Sequence, residues 1–296
     1  MRVTPLLAST FRSDGSTMFG LVPRVIWEKK IPADKRHTIP QNANVLLVEL
    51  DDGRLGLVDT GCGAAEKFSP REQELHGLGP GWPLQENLAT CGVALEDIAF
   101  VVYTHLHWDH AGAAGAPPSL GRTLSFPNAR HYIHALEWED ATSGNPLLYK
   151  SYPPDTINPL RNVERELVTG DDVEILPGLR LIRTSGHTRG HCSILLQGPG
   201  LELVHPHATD AVGFKGLLLA GDVCPSHLNL RMVFQTSYDT FPLDTRAWKQ
   251  TWLPRIAEER LLLLFDHDPV LLGALIRPDP REEFAVEQAV RHPGPA

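Results

Sequence analysis

The chain has 296 residues, of which 42% are hydrophobic and 21% are charged, and its formal net charge is −9 at pH 7. These values are typical of a globular protein and exclude a disordered chain. The acidic balance argues against a nucleic-acid partner, which would need a basic surface. The longest purely aliphatic or aromatic run, Leu261 to Phe265, is too short to span a membrane, so we predict no membrane partner.

No repeat, low-complexity segment or linker divides the sequence, which predicts a single domain over residues 1–296. The N-terminal apolar run is too short for the core of a signal peptide. The four cysteines are scattered without a C-x-x-C pair, which predicts free thiols in a reducing cytoplasm. The composition is unusual in its 14 histidines. Whether they share a role depends on whether they cluster in the sequence.

Residues 1–43 carry turn signals around short apolar pieces, which predict edge hairpins or a lid. Next along the chain, an Asp-Asp-Gly turn joins two apolar segments, Asn44–Leu50 and Arg54–Asp59. This pattern predicts a β-hairpin.

Two helices are predicted from the spacing of apolar residues. The first runs from Leu84 to Cys91 and stops at Gly92, because glycine commonly follows the end of a helix. The second would be capped by Asp244, and Pro254 within it predicts a kink or a new start.

The remaining elements are predicted strands: Ala99–Thr104, Arg130–Ala135, Val173–Leu176, Arg180–Thr184, Cys192–Leu196, Gly216–Ala220 and a final strand, Leu261–Phe265. Many strands with a few interleaved helices predict an α/β sandwich. His131 and His134 lie in the predicted strand Arg130–Ala135. Because side chains alternate between the two faces of a strand, we expect one of each pair of neighbours to face out. His205 and His207 lie in a polar insertion, where we expect exposed side chains.

Four residues of types that bind metals directly follow the predicted strand Ala99–Thr104: His105, His107, Asp109 and His110. His105 and His107 alternate around Leu106, so both point the same way in an extended segment. Imidazole and carboxylate ligands suit zinc, iron, manganese or cobalt. A solvated or capping loop is the alternative, but four such residues at this spacing favour a metal site.

Three later strands end in the same way. His187 follows the strand Arg180–Thr184 closely, Asp222 follows Gly216–Ala220, and Asp266-His267-Asp268 follows the final predicted strand. Loops at strand ends commonly carry function, and ends that converge at one edge of a sandwich would assemble a site from distant residues.

In their order along the chain, these residues resemble the full metal-ligand signature of the metallo-β-lactamase superfamily: His105, His107, Asp109, His110, His187, Asp222 and His267. Val58-Asp59-Thr60-Gly61 is similar to the early strand-turn motif of that superfamily. The resemblance implies an α/β fold, a four-layer αββα metallo-β-lactamase-like sandwich, with two divalent metal ions at one edge. Zinc is the first choice of metal, with iron, manganese or cobalt as alternatives.

The resemblance also implies an assignment of ligands. One metal would be held by His105, His107 and His187, a second by Asp109, His110 and His267, and Asp222 would bridge the two. Asp59 is similar to an acid that orients a ligand imidazole in the superfamily, and its alternative role is that of a turn cap.

A narrower resemblance rests on further segments: Met18–Pro23, Trp27–Lys30, Thr184–His187 with Gly190-His191, Ser237–Pro242 and Phe265–Asp268. They resemble the YtnP-type quorum-quenching lactonase group. This resemblance implies a small-molecule substrate that is a lactone or an ester, with N-acyl-homoserine lactones as candidates.

The implied mechanism is attack on the substrate carbonyl by a hydroxide that bridges two metals. Asp222 would hold the bridge and carry a proton to the leaving group, and Asp109 would act beside it. Related lactonases often have a tyrosine three residues after the bridging aspartate, where this chain has Pro225. His227 matches the YtnP-type pattern and is predicted to contact the substrate, with Tyr238 as a second candidate.

Other functions stay open at this point. A phosphotriesterase or phosphodiesterase could use the same two-metal site, because the same hydroxide can attack phosphorus. A binding protein on a degenerate hydrolase fold would have lost ligands, and none of the seven is missing. We predict a cytoplasmic enzyme and leave a homodimer open.

Overall fold

The computed structural model describes residues 1–148, 150–205 and 213–292. The strands are β1 (Arg2–Asp14), β2 (Thr38–Glu49), β3 (Leu55–Val58), β4 (Ile98–Val102), β5 (Arg130–His134), β6 (Arg165–Val168), β7 (Asp172–Leu176), β8 (Leu179–Arg183), β9 (Cys192–Leu196), β10 (Glu202–Leu203), β11 (Gly216–Leu219), β12 (Leu261–Leu264), β13 (Leu271–Asp279) and β14 (Glu283–Arg291). The helices are α1 (Gly15–Phe19), α2 (Arg24–Trp27), α3 (Pro70–His76), α4 (Pro83–Thr90), α5 (Trp108–Ala111), α6 (Ala135–Thr142), α7 (Pro154–Leu160) and α8 (Pro242–Glu258).

The strands form two seven-stranded sheets. The first has the order β10-β1-β2-β3-β4-β5-β6 and the second the order β14-β13-β12-β11-β9-β8-β7. Neighbouring strands are parallel from β3 to β6, and β11 is parallel to β12, so several strands end at the same edge. Loops that leave this edge carry most of the ligand-type residues.

Three hydrophobic clusters define the layers. The central cluster joins residues of both sheets, such as Val102 and Leu217. A second cluster packs Leu84 and Leu88 of α4 against the first sheet, and a third packs Trp248 of α8 against the second. Helices therefore cover the outer face of each sheet, and the predicted four-layer αββα arrangement is confirmed.

The N-terminal segment forms more regular structure than its turn signals indicate. β1 is 13 residues long and pairs with β2 in antiparallel register from Arg2 to Asp14. β10 pairs only with Arg2 and Val3 of β1, so most of β1 is an edge strand, where Pro5 is tolerated. The role of residues 1–43 as a lid stays a prediction.

One prediction about α8 was wrong, and one of the two alternatives at Pro254 is excluded. The helix begins at Pro242 after Phe241, and Asp244 lies in its first turn rather than at the cap. Proline suits the first helical position because its fixed φ matches the helix and its missing N–H is not needed there. Pro254 starts no new helix, since α8 continues to Glu258.

The strand after α8 is not the last. β12 is followed by β13 and β14, which extend the second sheet to its edge. The side chains of β14 are mostly half-buried, without one buried and one exposed face. The sequence therefore gives no alternation of apolar and polar residues from which this strand could be predicted.

His131 and His134 are both buried, against the expectation that one faces out, because both faces of the first sheet are covered. His205 is half-buried, and His207 lies outside the described residues. All four cysteines are free, as predicted. None of the helices in the described part of the chain is long and apolar enough to cross a membrane.

Candidate metal centre

The loop after β4 brings His105 and His107 to the edge of the first sheet, and α5 follows with Asp109 and His110. His187 lies in the loop between β8 and β9, and Asp222 lies in a 3₁₀ turn directly after β11. His267 comes after β12. The structure therefore places all seven predicted ligands in loops, a short turn or the short helix α5, beside the ends of strands.

The first group contains His105, His107, His187 and Asp222, whose ligand atoms all lie within 4.8 Å of one another. Nε2 of His187 is 3.1 Å from Nδ1 of His107 and 3.1 Å from Oδ2 of Asp222. Nε2 of His105 is buried and has no hydrogen-bond partner among the described residues. Three nitrogens and one carboxylate thus converge on one small volume.

The second group contains His110, Asp222, Asp266 and His267, again within 4.8 Å of one another. Oδ1 of Asp222 is 3.3 Å from Nε2 of His110 and 3.1 Å from Nε2 of His267. Asp222 therefore turns one oxygen to each group. Asp109 lies beside this group, with Oδ2 3.5 Å from Nε2 of His267.

Three of the five ligand imidazoles are oriented by acceptors on their outer nitrogens. Nδ1 of His110 donates to Oδ2 of Asp59 at 2.9 Å, and Nδ1 of His187 donates to Oδ1 of Asp239 at 3.0 Å. Nδ1 of His267 donates to the backbone carbonyl of Asn42 at 2.7 Å. Because these acceptors hold the proton on Nδ1, each Nε2 presents a lone pair to the centre.

Asp59 takes the orienting role: within the described residues its side-chain hydrogen bonds go to His110 and Thr104, not to the turn at Thr60-Gly61. Besides orienting His110, it accepts hydrogen bonds from the backbone N–H of Thr104 at 2.8 Å and from its hydroxyl at 2.7 Å. Its backbone is left-handed, with φ 58°, a conformation that aspartate tolerates better than most residues. Asp59 thus joins the end of β3 to the loop that carries His105.

Asp222 is positioned by His191, which is not a ligand in either group. Nδ1 of His191 is 2.8 Å from the hydroxyl of Thr184, and its Nε2 accepts the backbone N–H of Asp222 at 3.0 Å. Gly221 adopts φ 66°, and a Cβ at this position would collide with the His191 ring. These contacts give His191 a structural role beside the centre.

The electrostatics of the centre favour bound cations. Burial lowers the pKa of His105 and His107 well below the usual value, which keeps them neutral and able to bind a metal. Burial also opposes protonation of His267, but Asp222 and Asp266 outweigh it and raise its pKa to about 9. Carboxylates at this depth need positive charge nearby, and a divalent metal would supply it in place of protons.

His227 lies outside both groups, in a 3₁₀ turn that follows Asp222. Its Nδ1 pairs with the carboxylate of Asp268, which also accepts the backbone N–H of His227 at 2.9 Å. The side chain is 28% exposed. Tyr238 is 60% exposed, so it is not a core aromatic.

Sequence reasoning missed two residues of the centre, Asp266 and Asp239. Asp266 had the same signal as its neighbours, because it lies directly before His267 at the end of a buried strand. Asp239 had no local signal, since it lies 52 positions from the histidine that it orients.

Comparison with known proteins agrees with this geometry. A model of the metallo-beta-lactamase superfamily matches residues 38–202, which is more than half of the chain. The chain belongs to the metallo-beta-lactamase superfamily. It is a metal-dependent hydrolase of that superfamily, and the resemblance noted in the sequence is confirmed at this level.

The relatives include lactonases at modest identity. The chain is 33% identical over 161 residues to an N-acyl homoserine lactonase of Bacillus cereus, a match that covers 51% of this chain and 56% of the relative. The match to a lactonase of a Bacillus species covers 37% of that relative. The chain thus matches between about a third and just over half of the length of these curated lactonases.

Solved structures at low sequence identity share the fold over nearly the whole chain. A Staphylococcus aureus protein named a probable metal-dependent hydrolase superposes with a TM-score of 0.83 at 21% identity, covering 99% of this chain and 98% of the other. The dizinc quorum-quenching lactonase AidC, bound to its product N-hexanoyl-L-homoserine, superposes with a TM-score of 0.71 at 20% identity, covering 96% and 93%.

Proposed function

We propose that this metallo-beta-lactamase superfamily hydrolase opens lactones or cleaves esters at two divalent metals, with N-acyl-homoserine lactones as substrate class. The observation that carries the proposal is the position of Asp222 between two groups of inward-facing imidazoles, with 3.1 Å to His187 on one side and 3.1 Å to His267 on the other. The lactonase relatives favour a lactone over other esters.

The residues fit a two-metal site. His105, His107 and His187 would hold the first metal, Asp109, His110 and His267 the second, and Asp222 both. Nitrogen and oxygen donors of this kind suit zinc first, then iron, manganese or cobalt. When bound, the metals would supply Lewis acidity for the carbonyl oxygen and lower the pKa of a water molecule.

The chain's own residues then have the following tasks. Hydrolysis joins the water oxygen to the carbonyl carbon, breaks the ester C–O bond and moves one proton from water to the leaving oxygen. We propose that Asp222 carries this proton to the leaving oxygen, because its two carboxylate oxygens face the two groups of ligands. Asp109 lies beside Asp222. Asp59 and Asp239 keep the imidazoles in position and touch no substrate.

His227 is the proposed substrate contact. Its pairing with Asp268 places the proton on Nδ1 and leaves Nε2 free to accept a hydrogen bond. Since Pro225 occupies the position where related lactonases often have tyrosine, His227 would serve in its place. The homodimer and the cytoplasmic location stay predictions of the sequence.

A panel assay tests the proposal. Purified protein with quantified metal would be given acyl-homoserine lactones of several chain lengths, simple γ- and δ-lactones, aryl esters and phosphotriesters. We expect lactones to have the highest kcat/KM. Phosphotriester hydrolysis far above all lactones would contradict the substrate class, and a metal content near zero in protein purified without chelator would contradict the two-metal centre.

A further inference from the structure

Asp266 and Asp268 flank the ligand His267, and both are buried carboxylates. Asp268 has a complete set of partners, because it accepts the backbone N–H groups of His227 at 2.9 Å, Val270 at 2.8 Å and Leu271 at 2.8 Å. Asp266 is 1% exposed, and neither of its oxygens has a hydrogen-bond partner within the described part of the chain. Hydrogen bonds within the described residues therefore do not explain why this carboxylate is buried.

A buried carboxylate without a donor is costly unless a cation lies beside it. One oxygen of Asp266 belongs to the second group, within 4.8 Å of the ligand atoms of His110, Asp222 and His267. The unpartnered carboxylate is thus directed at the volume that a second metal would occupy.

The main chain fixes this direction. The backbone N–H of Asn44 donates to the carbonyl of Asp266 at 2.8 Å, and its side-chain amide donates to the carbonyl of Phe265 at 2.9 Å. The backbone N–H of His267 donates to the carbonyl of Pro225 at 3.0 Å. Because β2 and the turn after Asp222 both hold the segment, Asp266 and His267 reach the centre from a fixed backbone.

We propose that Asp266 is a ligand of the second metal and makes that position richer in oxygen than the first. The inference rests on the two-metal function proposed above. The first group offers three imidazoles and one carboxylate, whereas the second offers two imidazoles and two carboxylates, with Asp109 beside them. Carboxylate ligands suit harder cations, so the second position accepts Mn²⁺ more readily than the first does.

The experiment compares Asp266→Asn with Asp268→Asn, a buried carboxylate two residues away. Each protein is stripped with a chelator and titrated with Mn²⁺ and with Zn²⁺, and bound metal is counted by mass spectrometry. We expect wild type and Asp268→Asn to retain two equivalents. Asp266→Asn should retain one equivalent, and its second Mn²⁺ should bind about 100-fold more weakly than in wild type. Loss of a group that only supports a ligand weakens metal binding by up to about this factor.

Two further readouts do not depend on activity. In wild type, a pair of Mn²⁺ ions sharing Asp222 gives an exchange-coupled electron paramagnetic resonance signal, and Asp266→Asn gives the signal of isolated ions. The second readout is the melting temperature, because metal that binds only the folded chain stabilises it. The melting temperature of Asp266→Asn rises less than that of wild type when metal is added.

The outcomes separate this inference from the proposed function. If Asp266→Asn binds two equivalents with unchanged affinity, Asp266 is not a ligand, and the two-metal centre stands without it. If wild type binds fewer than two equivalents, the proposed two-metal function fails, and this assignment fails with it. Asp266→Ser must behave as Asp266→Asn does, so poor folding of one variant does not decide the result.

Discussion

His110 and His131 are both fully buried, yet their surroundings differ. His110 lies between two carboxylates, with Nδ1 2.9 Å from Asp59 and Nε2 3.3 Å from Asp222. His131 lies within β5, where Nδ1 is 3.0 Å from the Tyr103 hydroxyl and Nε2 has no hydrogen-bond partner among the described residues.

The charge states follow from these contacts. Burial lowers the pKa of His131 to about 4, and no carboxylate of the described residues opposes it. Burial also disfavours the charged form of His110, but Asp222 and Asp109 reverse the effect and raise its pKa well above the usual value. Burial alone therefore does not mark a functional histidine in this fold. The distinguishing feature is an acceptor behind the ring and a second carboxylate in front of it.

The largest expected effect is that of Asp222→Asn, which removes the carboxylate shared by both groups. We expect loss of both metals and a fall in kcat/KM of roughly 10³-fold or more, since bound metals contribute several kcal/mol of transition-state stabilisation. Metal content and lactone hydrolysis measure the two effects. A variant with full metal content and full rate would remove Asp222 from its assigned role.

His131→Asn tests the other side of the comparison. The folded-state pKa of about 4 lies below the ordinary 6.5, so this histidine contributes its full stability above pH 6.5. As the pH falls from 6.5 towards 4, the unfolded chain binds a proton that the folded chain does not, and about 3 kcal/mol is lost. Asparagine can still bond the Tyr103 hydroxyl but does not titrate.

The measurement is urea unfolding of metal-free wild type and His131→Asn at pH 7.5 and pH 4.5. We expect the gap in unfolding free energy between the two proteins to shrink at the lower pH. Metal content at pH 7.5 should be equal in both proteins. An equal loss of stability in the variant would show that His131 is not the source of the pH dependence.

The ligand set could be predicted because the end of a buried strand gives a local signal in the sequence, an apolar run followed by a polar residue. Each predicted ligand follows a buried strand closely in sequence, as Asp222 follows β11, and a periodic apolar run is visible without the structure. The supporting contacts give no such signal, since Asp239 reaches His187 across 52 positions. The same limit applies to β1, whose regular pairing depends on β2, and to β14, whose faces are half-buried.

A matched pair of variants compares the two groups, one support at a time. Asp239→Asn replaces the charged acceptor behind His187 with a neutral amide, and Asp59→Asn does the same behind His110. Loss of such a partner typically weakens metal binding 10- to 100-fold. We expect Asp239→Asn to weaken the first metal alone and Asp59→Asn the second alone. Chelator competition, with each metal followed separately, measures both affinities. Equal weakening of both metals in either variant would mean that the two groups are not independently supported.

The smallest effects concern the two residues outside the groups, His227 and Tyr238. His227 is held by Asp268 and is only partly exposed, whereas Tyr238 is largely open to solvent. His227→Phe should lower kcat/KM about 10-fold, because one hydrogen bond to the substrate is lost. Tyr238→Phe should change it by less than about 0.5 kcal/mol, as expected of a spectator. Both variants should retain the metal content of wild type, so a lower kcat/KM reports on substrate contact alone. If the larger effect falls on Tyr238, the substrate lies nearer to the loop before α8 than to the turn after Asp222.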